Sequence, residues 1–281
     1  MASRDYYKKI FNKKILPRII LIFMAFIFIL PFYWMLITSI KSLPELQMVP
    51  PTIFPRSFHW ENFAFAVQII PFFRFLRNSL TLAALTVTGA IISNSLVSYS
   101  VARIRWKFRK PLFYLVIATM FLPFPVILVG VFDIYAKLRL INTFWPLILP
   151  AYMGSATHIF MMRQYLLTIP LEISDAGFID GANEWQIFTI LILPIMKPVI
   201  AVVAIFSALS SWNDFLGPLL YLQNEQLYPL SIGLQFFRSE HRIQYSELMA
   251  ASTLVALPVV VIFLCFQRFF VEGITIGAVK G

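Results

Sequence analysis

Residues 162–198 read MRQYLLTIPLEISDAGFIDGANEWQIFTILILPIMKP. The stretch lies between two long apolar runs, yet it carries Glu172, Asp175, Asp180 and Glu184 and, between Gln164 and Met196, no Lys or Arg. Pro170 suits a first helical position, where its missing N–H leaves no bond unmade. Glu172 and Asp175 then fall in the first turns, where the helix dipole favours carboxylates. Ile169, Ile173, Ala176 and Gly177 recur at helical spacing, and the small pair Ala176 and Gly177 lets another backbone approach. Asp180-Gly181 is a turn signal. Asn183 is placed to cap a second helix, with Gln186 set for the return contact. Two short helices at an angle are expected, presenting an acidic, small-residue face. Such a hairpin either lies on a membrane surface or docks onto a protein. Membrane-surface helices are usually basic, to meet anionic lipid, so the four acids favour protein.

The surroundings are those of a membrane protein. The chain of 281 residues is 59% hydrophobic and 13% charged, against about 25% charged in soluble domains. Its mean hydropathy is +0.79. An all-α integral membrane fold is expected, with six spans. After a basic arm, 1–18, comes Ile19–Ile40, which at about 1.5 Å per residue covers the roughly 30 Å hydrocarbon core; it is longer than a signal-peptide core and no small-residue cleavage site follows. A Pro- and aromatic-rich loop, 41–73, follows. A membrane domain is expected over 74–270, with spans at about 76–102, 111–134, 141–164, 197–221 and 248–269, the central loop at about 168–196, and a polar loop at 222–247. A tail, 271–281, ends the chain.

Charge placement orients the bundle. Fifteen of the 23 Lys and Arg fall on the side of the two termini and the central stretch, the densest being Arg103, Arg105, Lys107, Arg109 and Lys110. By the positive-inside rule the termini and the hairpin are cytoplasmic. The net charge of +10 therefore reads as topology signal, not as a nucleic-acid face. The lone Cys265 excludes an internal disulfide and a cysteine metal cluster.

Few polar groups lie inside the apolar runs. Asp214, beside Trp212 and Asn213, either caps an interface or lines a solute path. Asn94, Ser95, Ser98 and Tyr99 either join helices or line that path. His158 has no second ligand at metal spacing. An intramembrane enzyme would need an activated pair, and Asp214 and His158 form none.

The central stretch resembles the cytoplasmic motif of importer-type ABC transporter permeases, which runs Glu-Ala-Ala, two residues, Asp-Gly-Ala, then an apolar stretch ending Leu-Pro. Here Asp175-Ala176-Gly177 is followed by Asp180-Gly181-Ala182, Phe188 and Leu193-Pro194, with Glu172 upstream. Asp replaces Glu at 175 and Gly replaces Ala at 177. Trp212-Asn213-Asp214-Phe215 resembles the fifth span of carbohydrate permeases, and the ending Gly277-Ala278-Val279-Lys280-Gly281 is similar to that of the second maltose permease subunit.

The resemblance implies a type I importer permease in the cell membrane of a prokaryote, without catalysis of its own. It implies a second homologous permease, two ATP-binding subunits that use ATP and Mg, an extracellular solute-binding protein and a sugar, most naturally an oligosaccharide. This chain lacks a phosphate-binding G-x-x-x-x-G-K-[ST] loop, so it binds no cofactor itself and the 168–196 loop couples it to the ATPase. A permease for a non-sugar solute is the alternative.

Overall fold

The computed structural model describes residues 2–237 and 244–278. Among the described residues its regular elements are all helices. The chain divides into two compact units, one of residues 1–70 and 236–257, the other of residues 71–235 and 258–281.

The first unit holds α1 (Ala2–Ser39), α2 (Leu43–Leu46) and α3 (Glu61–Ile69). From Ile19 to Phe32, α1 exposes nearly every side chain, Leu21, Ile22, Phe26 and Phe28 among them. An unpartnered apolar surface of that extent fits hydrocarbon, not water. Pro31 lies inside a continuous helix. Residues 41–56 are not an open linker. Ser42 caps α2, and the buried Glu45 carboxylate accepts from the Thr52 hydroxyl at 2.6 Å and the Arg56 amide at 3.0 Å. Lys41, 2% exposed, donates to the Thr52 carbonyl and sits over the Trp34 ring. Asn62 on α3 donates to the Ser39 and Lys41 carbonyls.

The second unit is built on α4 (Phe72–Ala102), the longest helix wholly inside it. After α4 come α5 (Arg109–Ala118), α6 (Phe124–Lys137), α7 (Trp145–Met153), α8 (Ala156–Thr168), α9 (Glu172–Ile179), α10 (Glu184–Gln186), α11 (Leu193–Ile195), α12 (Lys197–Asn213), α13 (Leu216–Tyr221) and α14 (Leu230–Gly233). The last helix, α15 (Tyr245–Ala278), continues from the first unit into the second at Leu257–Pro258. Helices α7, α8 and α12 pack on α4. The buried face of α4 is partly polar. Asn78 donates to the Gln226 and Tyr228 carbonyls, and the Ser79 hydroxyl accepts from the Leu230 amide, so the 226–230 segment hangs from one end of α4.

Three described helical stretches are long and apolar enough to cross a membrane: 17–39, 72–102 and 245–267. Two bent pairs, 109–121 with 125–137 and 184–195 with 197–213, pass together. The expected span at 141–164 is not one helix. Gly154 has φ +90°, and the chain breaks there between α7 and α8. The Asn94 side chain holds the break, its Oδ1 accepting from the Ser155 amide at 2.8 Å. The expected span at 197–221 also breaks, between Asn213 and Leu216. There the Asp214 carboxylate accepts from the Gly217 amide at 3.0 Å, a local bond that competes with helix continuation.

Candidate functional site

The central stretch folds as the expected hairpin. Helix α9 closes on Asp180, and Gly181 follows at φ +83°, the left-handed backbone that ends helices most cheaply in glycine. The Gly181 amide donates to Phe178 O at 3.0 Å and the Ala182 amide to Gly177 O at 2.9 Å. Asn183 and Gln186 form the reciprocal capping box, with both bonds at 2.9 Å. Beyond α10 the backbone widens into a π-helical turn over Ile187–Ile192. The 184–195 helix then meets α12 at 77°.

The hairpin has two faces. Ile187, Phe188, Ile192 and Met196 are buried and join Tyr99 of α4, Met162 and Leu166 of α8, and Ile169 just beyond it in one apolar cluster. Gly177 belongs to this inner face. A Cβ there would lie 2.9 Å from Leu191 Cδ1 and 3.1 Å from Ile187 Cγ1, so its small size lets the two arms of the hairpin close on each other. Ala182 and Leu193 are half-buried against the same cluster. Glu172, Asp175, Ala176, Asp180, Gly181 and Pro194 are exposed. So are Ile179 (86%), Trp185 (63%) and Phe178 (48%). A Cβ on Gly181 would meet nothing within 4 Å.

Two polar contacts fasten the hairpin to the end of α4. The Tyr99 hydroxyl donates to Glu184 Oε2 at 2.8 Å, and its ring packs on Phe188 with centroids 4.9 Å apart. Arg103 donates to the carbonyls of Leu166 (2.8 Å), Ile169 and Pro170 (3.2 Å). Leu166 lies in the last turn of α8, and Ile169 and Pro170 follow the helix directly, so the guanidinium caps α8 where the hairpin begins. Burial pulls the Arg103 pKa below its ordinary value, while Tyr99, Asp175 and Glu172 act in the opposite direction.

The residues considered for a solute path have the following surroundings. Tyr99 belongs to the hairpin clamp. Asn94, fully buried, donates to Ala90 O and holds the α7–α8 break. Trp212 is buried. Asn213 is exposed and donates to Leu209 O at 2.9 Å, and the Asp214 carbonyl accepts from the Ser231 hydroxyl at 2.7 Å. Reasoning from sequence missed Arg103 as part of the hairpin. Its signal was only a basic residue directly after an apolar run, which reads equally well as a topology anchor.

Three of the described helices are long and apolar enough to cross a membrane, and a polar hairpin is fastened at one end of α4. Residues 86–275 match the family described as the binding-protein-dependent transport system inner membrane component, and the chain belongs to that family. It is 34% identical over 262 residues to the arabinooligosaccharides transport system permease protein AraQ of Halalkalibacterium halodurans, covering 92% of this chain and 94% of that one. It is 30% identical over 282 residues to the trehalose/maltose transport system permease protein MalG of Thermococcus litoralis, covering 96% and 99%. A chain in the crystal structure of a bacterial ABC transporter involved in the import of the acidic polysaccharide alginate superposes with a TM-score of 0.80. It has 20% identity, and the match covers 94% of this chain and 98% of that one. The fold is therefore shared.

Proposed function

We propose that the chain is one permease subunit of an ATP-driven importer that takes an oligosaccharide from an extracellular binding protein. The relatives named for arabinooligosaccharides and for trehalose and maltose support the substrate class. A second, homologous permease subunit completes the path, and ATP hydrolysis with Mg takes place on two separate subunits. The 168–196 hairpin sits in a cleft of such a subunit, on the cytoplasmic side of a prokaryotic cell membrane. Closure of the ATPase pair then moves the hairpin and switches the bundle between inward-facing and outward-facing states.

The observation that carries this reading is the hairpin's division into a fastened inner face and an outer face of Ile179, Trp185 and Phe178 set among carboxylates. A membrane-surface hairpin would place cations beside those apolar groups; this one places acids there. A protein cleft with complementary basic residues accepts both kinds of group. The test is uptake of a panel of labelled saccharides by cells that carry or lack this chain, alongside binding of the same panel to the cognate binding protein. Loss of uptake of one oligosaccharide, matched by tight binding of that sugar, is expected. Unchanged uptake of every saccharide contradicts the substrate class.

A further inference from the structure

A second constellation lies at the same end of the bundle as the hairpin, and the transport reading does not use it. A cavity of about 120 Å³ opens between α5, α8 and the last turn of α4, lined by Arg109, Lys110, Arg163, Phe113 and Tyr114 with small apolar neighbours. That is well above the about 10–15 Å³ one water needs. Three cations border it and none of its lining residues is acidic. Among the described residues the ion pairs are His59–Glu61 and Lys137–Asp133, so no carboxylate neutralises the three.

Two of the cations are held in place. The Arg163 guanidinium lies 4.1 Å above the centre of the buried Phe113 ring, and its Nε is shielded from solvent with no hydrogen-bond partner. Arg109 donates to the Ile104 carbonyl at 3.3 Å. Guanidinium does not lose its proton in proteins, so a desolvated, unpaired donor of this kind costs free energy unless an acceptor arrives, and an anion meets both the donor and the charge. Arg109 and Lys110 also occupy the first turn of α5, where the dipole opposes positive charge.

We propose that Arg109, Lys110 and Arg163 form a binding site for a phosphate-bearing anion. An anionic phospholipid headgroup and free phosphate share the chemistry it recognises. Arginine matches phosphate oxygens with paired donors, and lysine adds a point charge. The aromatic rings of Phe113 and Tyr114 give the rim an apolar wall next to the headgroup. The cavity also borders Leu167, next to the Leu166 carbonyl that Arg103 caps, so an occupant sits one residue from the hairpin clamp.

The full chain, purified with the partners it assembles with, is placed in nanodiscs of phosphatidylcholine alone or mixed equally with phosphatidylglycerol. Native mass spectrometry then counts the lipid each sample retains. Preferential retention of phosphatidylglycerol is expected, about fivefold weaker in Lys110→Gln and weaker still in Arg163→Gln. Lys107→Gln, a neighbouring cation outside the cavity, should leave it unchanged. Lys110 is exposed, so its variant reports on binding even if Arg163→Gln disturbs packing on Phe113. Melting in phosphatidylcholine discs, with and without inorganic phosphate, separates the sources. A phosphate-induced rise that Lys110→Gln abolishes assigns the site to free phosphate; lipid preference without that rise assigns it to the headgroup. Absence of both responses overturns the proposal, and so does an equal loss of lipid in Lys107→Gln.

Discussion

The Tyr99 hydroxyl on α4 donates a 2.8 Å hydrogen bond to the Glu184 carboxylate on the second arm of the central hairpin. This single bond ties a surface loop to the helix around which its unit is built. Tyr99 is buried and Glu184 is exposed, so the bond lies at the boundary between bundle and hairpin. Removing the hydroxyl alone, in Tyr99→Phe, keeps the ring on Phe188 and loses the tie. A hydrogen bond to a charged acceptor contributes about 1.5–3 kcal/mol; exposure of Glu184 places this one near the low end. The expected outcome is a folded, membrane-inserted subunit that hydrolyses more ATP per sugar imported, read from parallel uptake and ATPase measurements in vesicles. Glu184→Gln keeps an acceptor and should have the smaller effect.

Arg103 makes a stronger clamp. Its fork reaches three carbonyls at the end of α8, and a lysine ammonium cannot reproduce that planar geometry. Arg103→Lys should therefore weaken the start of the hairpin and Arg103→Gln should weaken it further. Faster proteolysis or hydrogen exchange over 164–180, with the rest of the chain unchanged, is the expected signature.

Gly177 and Gly181 separate the two faces of the hairpin. At Gly177 a side chain meets Leu191 and Ile187, so Gly177→Leu overpacks the interior and should destabilise by about 1–3 kcal/mol. At Gly181 there is open space, and the cost of a side chain is its positive φ, about 1–2 kcal/mol. Gly181→Trp should leave the subunit in the membrane and abolish uptake, because the indole projects from the face proposed to dock. Reduced yield for the first variant and normal yield without transport for the second is the expected pattern, read from membrane abundance and uptake.

Glu45 provides a pH signature away from the hairpin. Its burial alone raises the carboxyl pKa, but the Thr52 hydroxyl, the Arg56 amide and the charges of Lys41 and Arg56 together bring it below the ordinary 4.5. A depressed folded pKa means that the carboxylate stabilises the 41–56 loop above pH 4.5 and that this contribution is lost as pH falls through the lower folded value. Acid should loosen this loop in the native chain. Glu45→Gln should loosen it at neutral pH and flatten the acid response, as followed by hydrogen exchange over 41–56.

The sequence showed the hairpin plainly because its signals are local: Pro170, the Asp180-Gly181 turn and the Asn183–Gln186 box act within a few residues of themselves. The helical class and three continuous spans were equally legible, since long apolar runs leave little alternative. The breaks were not. The apolar run over 140–162 reads as one span, and only a positive φ at Gly154, stabilised by Asn94 from a distant helix, divides it. Asp214 ends α12 through one short-range bond that apolar periodicity does not register. Tyr99 and Arg103 were the hardest to assign. Their partners lie 85 and 63 to 67 residues away, and nothing near either residue names them.

The central claim is that the outer face of the hairpin seats in a separate ATPase subunit. Ile179 tests it most directly, being 86% exposed beside the Asp180-Gly181 turn. In a Cys265→Ser background, Ile179→Cys is made the only cysteine of this chain, and the assembled transporter is treated with a short thiol-to-amine cross-linker with and without ATP. The account predicts a cross-link to the ATPase subunit whose yield changes with ATP. It also predicts protection of this cysteine from water-soluble maleimide in the assembly. Free labelling in the assembled transporter, with no cross-link in either condition, contradicts it.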